Sequence, residues 1–484
     1  MLKKSLRWGA LLACLLAAAS CTQQNAADGV AVNPASDAFV DNGGEFDRLA
    51  ELGEKDFGGA VYTVLDANDH PELHDNIPTD EADGDVINNE LYKRDVFIEE
   101  KYSVNIEYEQ IVNAKAGTDT LRRCVMSDDD TYTVVISTLS GGTLTPLATE
   151  GILAELGADG YISLDKPWWS RLMYDSLRLG EKMYFTTGDF SPSMYQMASC
   201  MYVNKELCDK YSVDVDFTQL VLDGKWTWDV LAEVTKDMNT DVNMDGKMHA
   251  SDDFFGFAHQ KMNDVSVGAM LISAGASYTA ENEDGELVMA LNNERTFDFI
   301  EKSRSLTCDV QFVDYWDIIT KAFKEDRALI LMHLTEGGYM NLRDMESDYL
   351  MIPMPKYDEE QETYRCLANG WANAYVAIPK TADRELSGFI TEAMGYYSYR
   401  YVRPAVYETA FKLKATRDDY GSQMMDIIFD SIYIDFGTVT DFGGVTPGLV
   451  KVMRGESEFA SLMEAVEGAA NAALAEFKTS WVGE

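Results

Sequence analysis

KMYFTTGDFSPSMYQMASCMYVNKEL (residues 182–207) contains two strand-like runs that are separated by a polar turn. The first run ends at a Gly188–Asp189 turn, and the second covers residues 198–204. Runs rich in aromatic and β-branched residues, bounded by Gly, Pro and Ser, are typical of strands. No GxSxG, HExxH or P-loop signature occurs here or elsewhere in the sequence. The stretch that decides the fold therefore carries no catalytic motif.

A helix is predicted over residues 226–238, shortly after this stretch. Thr227 can accept a hydrogen bond as its N-cap, and Asp229 lies in the first turn, where a negative charge is favourable. Apolar residues then recur at helical spacing. We interpret Trp226 and Trp228 as packing residues, with stacking on a ligand as the alternative.

The acidic loop DVNMDGKMHASD (residues 241–252) follows this helix and has the spacing of a calcium-binding loop. Oxygen-bearing side chains stand at the first, third, fifth and twelfth positions, with Gly246 at the sharp turn. The last position holds Asp in place of the usual Glu, which weakens the closure of the loop. A solvated turn is the alternative. The predicted structural Ca²⁺ ligands are Asp241, Asn243, Asp245, the carbonyl group of Lys247, and Asp252.

The amino terminus, MLKKSLRWGALLACLLAAASC, reads as a lipoprotein signal peptide over residues 1–20. A basic head precedes an apolar run that is too short to span a bilayer, and small residues lead up to Cys21. We expect cleavage before Cys21 and a lipid on its thiol, with ordinary secretion as the alternative. Residues 21–46 are polar and lack periodicity, so we interpret them as a flexible tether. The expected location is the outer face of the cytoplasmic membrane.

The net charge of −42 disfavours nucleic acid and anionic lipid headgroups as ligands. The sequence contains seven cysteines, of which we expect Cys14 to leave with the signal peptide and Cys21 to carry the lipid. The other five include no CxxC pair, so we expect buried thiols and no disulfide framework.

Strand and helix patterns alternate from residue 60 onward, which predicts a parallel α/β sheet. Ligands in such sheets bind at the loops that follow the carboxyl ends of the strands. This rule selects the loops of residues 66–70 and 137–142. Asp66, Asp69 and Thr138 are the candidate ligand-binding residues there.

The motifs KPWWS, GEKMYFTTGDFS, MYVNKEL, GKWTWD and DVNMDGK occur in one order, followed by AFKEDRALILM and AYVAIPKT. This order resembles extracellular solute-binding protein family 1, the maltodextrin-binding type of sugar receptor, over nearly the whole mature chain. The resemblance implies a periplasmic-binding-protein-like (type II) α/β fold with two lobes, a hinge and a ligand cleft between them. It also implies delivery of the ligand to an ABC permease. We expect a monomer.

By this likeness, residues 47–190 and 328–370 are predicted to form lobe 1, and residues 195–327 and 371–484 to form lobe 2. Asp189 would then lie at the first crossing between lobes, where its carboxylate could accept hydrogen bonds from vicinal sugar hydroxyls. The remaining candidates combine aromatic faces with polar groups, and each has a packing role as its alternative. These further candidate ligand-binding residues are Trp316, Glu336, Tyr339, Trp371 and Asn373.

The predicted function is a lipid-anchored substrate-binding protein that captures a mono- or oligosaccharide by hinge closure. A peptide or polyamine ligand, and a role as a surface sensor or adhesion component, are the alternatives. We do not expect an enzyme, since carboxylate pairs suited to glycoside hydrolysis arise by chance in so acidic a chain.

Overall fold

A computed structural model describes residues 48–71, 76–79, 85–139, 143–260, 263–307, 316–371, 373–411 and 421–483. The predicted signal peptide, the tether and Cys21 lie outside these ranges. Among the described residues, none of the helices combines the length and apolarity needed to cross a bilayer.

The first sheet is built on a central strand, Ala60–Asn68, whose second half is buried because strands flank it on both sides. This strand runs parallel to both neighbours, as the alternating strand and helix pattern predicted. Tyr375–Ala377 then runs antiparallel to the strands beside it. In sheet order, the described strands are Val104–Val112, Ala60–Asn68, Val134–Ser137, Tyr375–Ala377 and Phe185–Thr186.

The second sheet contains the strand Ser199–Asn204, which is buried along its whole length. It pairs antiparallel with both of its neighbours, and the edge strand Phe255–Ala258 is parallel to the strand beside it. In sheet order, the described strands are Tyr349–Pro353, Ser199–Asn204, Ala328–Leu334 and Phe255–Ala258. Two small sheets pair Cys366–Leu367 with Ile432–Tyr433, and Thr279–Glu281 with Leu287–Met289.

Helices cover the faces of both sheets, and many begin at a side-chain cap. Asp85, Asn113 and Asn204 each accept a hydrogen bond from a backbone N–H in the first turn. The helices are Arg48–Leu52, Val86–Tyr102, Ala114–Met126, Leu144–Thr149, Arg171–Leu177, Ser193–Gln196, Lys205–Tyr211, Phe217–Leu222, Trp228–Thr235, Asp264–Ser273, Glu294–Thr307, Trp316–Lys324, Glu336–Met340, Arg384–Tyr397, Arg403–Phe411, Gly421–Asp430, Phe436–Val439, Val445–Met453 and Phe459–Val482, with a π-helical turn at Ser398–Val402 and a 3₁₀ turn at Phe442–Gly444.

The two sheets define two lobes, and two of the segments that connect them lie side by side. The chain also returns to the second lobe later, because the helix Arg403–Phe411 packs on the first-lobe helix Val86–Tyr102 and the helix Gly421–Asp430 packs on the second-sheet strand Tyr349–Pro353. The first crossing, residues 187–198, connects the strand Phe185–Thr186 to the second sheet. The second crossing, residues 368–374, returns the chain to the first sheet. The crossings lie side by side, since the N–H of Asn369 donates to the carbonyl of Met197 (2.9 Å).

This pairing corrects the predicted lobe boundaries. We expected residues 328–370 in the first lobe, but Ala328–Leu334 is an inner strand of the second sheet and pairs on both edges. Conversely, Tyr375–Ala377 belongs to the first sheet. The helix Arg384–Tyr397 packs against the first-lobe helix Val86–Tyr102. The chain therefore leaves the second lobe about forty residues later than the likeness implied, counted from Ala328 to Ala368.

Candidate functional site

A cavity of about 610 Å³ opens where the second crossing meets the ends of the two inner strands of the second sheet, and we call it the first cavity. His70 lines it from the first lobe and lies two residues after the end of the central strand Ala60–Asn68. The other lining residues belong to the second lobe or to the second crossing, so the cavity lies between the lobes. Its polar lining is His70, Ser199, Gln260, Asn263, Asp264, Ser266, His333, Glu336, Asn341 and Asn369, and its apolar lining is Val265, Ala269, Ile319, Met332, Leu334, Met340 and Trp371.

The register of two strands places the first polar groups of this cavity. Ser199 opens its strand directly opposite Leu334, which closes the antiparallel neighbour. His333 therefore reaches the same end of the sheet. The Ser199 hydroxyl is buried and has no hydrogen-bond partner among the described residues. A buried hydroxyl without a partner is costly, so this group is available to a ligand that enters the cavity.

His333 and Glu336 form a buried pair on one wall of the cavity. The Nδ1 atom of His333 lies 3.4 Å from Oε2 of Glu336. Burial alone would lower the pKa of His333, but the attraction and hydrogen bond of the Glu336 carboxylate outweigh it and raise this pKa above its usual value. The pair places one carboxylate and one imidazole within reach of a polar ligand.

The helix Asp264–Ser273 presents its first turn to the cavity. Asn263 caps it by accepting from the N–H of Ser266 at 2.9 Å. Asp264 instead turns its carboxylate to the second crossing, where Oδ2 accepts from the indole Nε1–H of Trp371 at 3.1 Å. This bond fixes the orientation of the indole ring.

Trp371 is 40% exposed, unlike the buried tryptophans that the same sequence contains. Its backbone N–H donates to the side chain of Asn369 (2.9 Å), and the adjacent carbonyl of Gly370 accepts from the N–H of Leu139 in the first lobe (3.0 Å). The indole is thus bound to Asp264 of the second lobe, the backbone beside it is bound to the first lobe, and part of Trp371 stays accessible. An exposed, fixed aromatic face next to carboxylates suits stacking on a sugar ring, with the carboxylates accepting from its hydroxyls.

A second cavity, of about 550 Å³, adjoins the first. The two cavities share Asn263, Asp264, Val265 and Trp371. The second is also lined by Tyr278, the segment that contains Thr438 and Val439, and the helix Val445–Met453.

The structure brings Glu336 and Trp371 together, and it separates the other described candidates from them. Asp66 is buried in the first lobe, where its carboxylate accepts from Gln110 Nε2 at 3.0 Å and burial raises its pKa. Asp69 accepts from the backbone N–H of Ala114 (3.1 Å) at the start of a helix. Thr138 is buried as well. None of these three lines either cavity.

Asp189 lies in the first crossing, as predicted, but it faces inward. It is 2% exposed, accepts from the hydroxyl of Tyr195 at 2.8 Å, and lies 3.9 Å from the guanidinium of Arg403. Burial raises its pKa to about 6, although Arg403 pulls it the other way. Asn373 is also buried, between the crossings, and accepts from Ser193 Oγ at 3.2 Å. Both have the contacts of structural residues.

Two further candidates stand at known positions, but their side chains lie outside the described part of the structure. Trp316 is the first residue of the helix Trp316–Lys324, and Tyr339 lies in the helix Glu336–Met340. The tryptophans predicted to pack, Trp226 and Trp228, are fully buried, which confirms that prediction.

The acidic loop is closed at its ends by a pair of backbone hydrogen bonds between Thr240 and Phe254. Asp241 Oδ2 accepts from the N–H of Gly246 at 2.8 Å, and Asn243 Oδ1 accepts from the N–H of Asp245 at 2.9 Å. The predicted twelfth ligand, Asp252, is exposed.

Its neighbour Asp253 holds the acidic loop instead. It is fully buried and accepts from the N–H groups of Val242 (2.8 Å) and His249 (2.7 Å). Within the described ranges, no three His, Cys, Asp or Glu side chains are grouped to hold a metal ion. The side-chain oxygens of Asp241, Asn243 and Asp245 accept from backbone N–H groups of the loop, and the calcium ion stays a prediction.

Sequence reasoning missed Ser199, Asp264 and His333, although each carried a signal. Ser199 and His333 lie at strand ends, where loops form sites, but strand pairing in the wrong lobe hid their proximity. Asp264 follows Asn263, and this pair is the start signal of a helix. Their convergence depends on contacts between distant segments that no local pattern specifies.

No protein-family model and no curated protein matches this sequence. Solved structures do match it in fold. A cyclo/maltodextrin-binding protein complexed with maltotetraose aligns with a TM-score of 0.55 at 13% identity, covering 87% of this chain and 97% of that one. An ABC substrate-binding protein from Listeria monocytogenes, in complex with cycloalternan, gives 0.53 and 13%, with 86% and 99% covered.

The GacH receptor of Streptomyces glaucescens, solved unliganded and in complex with acarbose, aligns with a TM-score of 0.52 at 11% identity, with 88% and 98% covered. Sequence identities this low support a shared fold and no further similarity. The mixed sheets, the paired crossings and these alignments together show that the chain has the α/β, periplasmic-binding-protein-like two-lobed fold, with a hinge and a cleft between the lobes.

Proposed function

We propose that this chain is the carbohydrate-binding component of an ABC importer, held at the outer face of the cytoplasmic membrane by a lipid on Cys21. The observation that carries this proposal is the first cavity, which lies between the lobes and combines a fixed, exposed indole with carboxylate, imidazole, amide and hydroxyl groups. These groups are suited to a sugar ring, which has apolar faces and hydroxyl groups at its edges. The similar structures solved with maltotetraose, cycloalternan and acarbose support it.

The proposed mechanism is closure of the lobes around the ligand. His70 comes from the first lobe, whereas Ser199, Asp264 and His333 come from the second. A ligand that touches both sets gains more contacts when the lobes approach, so its binding favours the closed form by that difference in affinity. The closed form would then be the one that a permease recognises. No group in this scheme acts as a nucleophile or a general acid, and we propose no enzymatic activity.

A thermal-shift screen of residues 22–484 against neutral saccharides tests the proposal. At a hundredfold excess over Kd, a ligand specific to the native state stabilises it by about 2.7 kcal/mol, which raises the unfolding temperature. Stabilisation by one class of glycan, with the glycan recovered intact, would support a binding protein. Shortened products would indicate an enzyme instead.

A polyamine is the second candidate ligand, because Asp264 and Glu336 both line the first cavity beside an indole that can bind a cation. The same screen separates the two classes. Stabilisation by spermidine or putrescine, and by no saccharide, would indicate that the ligand is a polyamine and not a carbohydrate. Stabilisation by short peptides alone would point to the same scaffold with a peptide ligand.

The lipid anchor rests on the sequence around Cys21 and needs its own test. Cells that express the full chain with an alkyne fatty acid should label the wild-type protein at the membrane. The Cys21→Ser variant should lose the label and appear in the medium. Label that persists in the variant would contradict the anchor at this residue.

We also propose that the acidic loop binds a structural calcium ion through Asp241, Asn243, Asp245 and the carbonyl of Lys247, with Asp252 drawn inward to complete the site. The inward-facing oxygens of Asp241 and Asn243 support this donor set. Calcium should raise the unfolding temperature and a chelator should lower it, and Asp245→Ala should remove the difference. Equal unfolding temperatures in calcium and chelator would leave the loop as a solvated turn.

A further inference from the structure

The C-terminal helix Phe459–Val482 is anchored in the second lobe. It packs on the helix Val445–Met453, and the Nζ atom of Lys478 donates to the carbonyl of Leu287 at 3.2 Å. Leu287 begins a strand that lies between the two crossings in the sequence, so it belongs to the second lobe. No described residue of the C-terminal helix lines either cavity.

The last turn of this helix, residues 479–482, is bound to the first lobe instead, and we call this turn the strap. The indole Nε1–H of Trp481 donates to the carbonyl of Lys182 at 3.1 Å. The hydroxyl of Tyr184 donates to the carbonyl of Trp481 at 3.0 Å. The Nζ atom of Lys182 also donates to the carbonyl of Val482. Three hydrogen bonds therefore connect the end of a second-lobe helix to the first lobe.

The indole of Trp481 is fully buried between rings from both lobes. On the first-lobe side, the ring centroids of Tyr184 and Phe185 lie 5.0 and 5.6 Å from that of Trp481. On the second-lobe side, those of Phe436 and Phe477 lie at 5.0 and 5.1 Å. Separating the lobes at this place would expose these apolar faces to water, which is unfavourable.

The order of strands in the first sheet places the strap and the first cavity on opposite sides of the crossings. Both crossings adjoin the last two strands of the sheet, Tyr375–Ala377 and Phe185–Thr186. His70 lines the first cavity and follows Ala60–Asn68, which lies further inward in the sheet. The strap contacts the edge strand Phe185–Thr186. A rotation about the crossings that brings His70 towards the second lobe therefore draws the two lobes apart at the strap.

We propose that the strap opposes closure of the lobes, so that its contacts help to set the fraction of closed protein in the absence of a ligand. This inference rests on the two-lobed fold and, for the closure that a ligand drives, on the proposed function. Contacts that are lost on closure count against the closed form. The apparent affinity of a ligand that needs the closed form is reduced by the fraction of protein that is closed. Weakening the strap should therefore tighten binding, although the strap touches no ligand.

Pulsed EPR on the ligand-free chain, residues 22–484, tests this proposal without knowledge of the ligand. Spin labels are placed at Val112→Cys in the first lobe and Met340→Cys in the second, which are 63% and 49% exposed. Val112 pairs with the last residue of the strand before His70, and Met340 lines the first cavity, so closure should shorten the distance between the labels. Cys124, Cys208 and Cys308 are replaced by serine, and the two buried cysteines are kept.

Two variants weaken the strap to different extents. Trp481→Ala removes the buried ring and should raise the ratio of closed to open protein by at least about tenfold. Tyr184→Phe removes one hydrogen bond and should raise this ratio by about threefold to tenfold. Tyr364→Phe is the matched control, because the Tyr364 hydroxyl donates to the carbonyl of Val221 (3.1 Å) within the second lobe. It should keep the wild-type distances.

The outcomes separate this inference from the proposed function. Label distances that stay unchanged or lengthen in the strap variants would overturn the inference. Circular dichroism establishes that each variant is folded, and Tyr184→Phe decides the result if Trp481→Ala is not. Any saccharide that stabilises the wild type in the thermal-shift screen should bind Tyr184→Phe about threefold to tenfold more tightly in calorimetry. If no saccharide binds, the proposed function fails, whereas the EPR distances still decide the role of the strap.

Discussion

The two crossings between the lobes lie side by side, but they differ in what they expose. Every residue of the first crossing, 187–198, is buried. The second crossing is buried at Ala368 and Asn373 but opens at Gly370 and Trp371. Both contain predicted ligand-binding residues, Asp189 in the first crossing, and Trp371 and Asn373 in the second.

The difference follows from what each crossing packs against. At Gly188 in the first crossing, a Cβ atom would collide with the carbonyl of Trp168, and the N–H of Asp189 donates to that carbonyl at 2.8 Å. The second crossing packs on the first crossing with one side and faces the cavities with the other. A crossing can therefore act as a hinge core or as part of a site, and exposure decides which.

The largest effect is expected at the first crossing, from Arg403→Met. This change leaves the Asp189 carboxylate buried without its cationic neighbour, and such losses destabilise proteins by about 3–5 kcal/mol. Urea unfolding at pH 7.5 measures the change. Adding Asp189→Asn to Arg403→Met should recover a large part of it, because the uncompensated charge is then gone. A loss below about 1 kcal/mol in the single variant would contradict a buried ion pair.

The same carboxylate predicts a pH dependence. Burial raises the pKa of Asp189 from 3.8 to about 6, so the native state holds this proton more tightly than the unfolded chain does. The stabilisation is complete below about pH 4 and is lost as the pH rises through about 6. At about 1.4 kcal/mol for each unit, the wild type should lose up to about 3 kcal/mol more than Asp189→Asn between pH 4 and pH 7. If the free energy of unfolding changes with pH equally in the two proteins, the Asp189 carboxylate is solvated and its pKa is not raised.

Sequence reasoning located both crossings in part, and the reasons for its success are local. The polar turn between two strand-like runs marks the first crossing at Gly188 and Asp189. Local signals also predicted the Thr227 cap, which accepts from the N–H of Val230 at 3.3 Å. The second crossing was placed between residues 370 and 371 but in the wrong direction, because Ala328–Leu334 was assigned to the first lobe and not to the second. Its pairing with Ser199–Asn204 spans more than a hundred residues, and strand patterns do not specify a partner.

The candidate site shows the same limit. Polar loop residues such as Asp66 and Asp189 are chemically suited to sugars, yet both are buried in hydrogen bonds that position backbone and side chains. Composition cannot tell these residues from Glu336, which does reach the first cavity. Only the three-dimensional packing shows which carboxylate a ligand can contact.

At the second crossing, Trp371→Ala should weaken ligand binding by well over tenfold, or about 1.4 kcal/mol or more, while the fold remains stable. The indole is 40% exposed, so its removal deletes few buried contacts. Trp371→Phe should retain part of the affinity, since it keeps an aromatic face and loses only the hydrogen bond to Asp264. Calorimetric titration with a saccharide that binds the wild type measures both. Unchanged affinity in the alanine variant would show that Trp371 does not contact the ligand. The two crossings would then not differ in ligand binding.

The smallest effect is expected at Ser199, where the first crossing ends and its chain enters the first cavity. Its hydroxyl is buried without a partner among the described residues, so a ligand hydrogen bond there would add about 0.5–1.5 kcal/mol. Ser199→Ala should therefore weaken binding by about threefold to tenfold and leave the unfolding temperature unchanged or slightly higher.

Ser387 provides the matched control for this change, because its hydroxyl is likewise buried and unpartnered in the described structure, but it lies in a first-lobe helix away from both cavities. Ser387→Ala should leave ligand affinity unchanged. If both serine variants bind like the wild type, the Ser199 hydroxyl makes no hydrogen bond to the ligand. Among the two crossings, only the second would then contact the ligand. If only Ser199→Ala weakens binding, the buried crossing delivers one polar group to the ligand at the residue where it joins the second sheet.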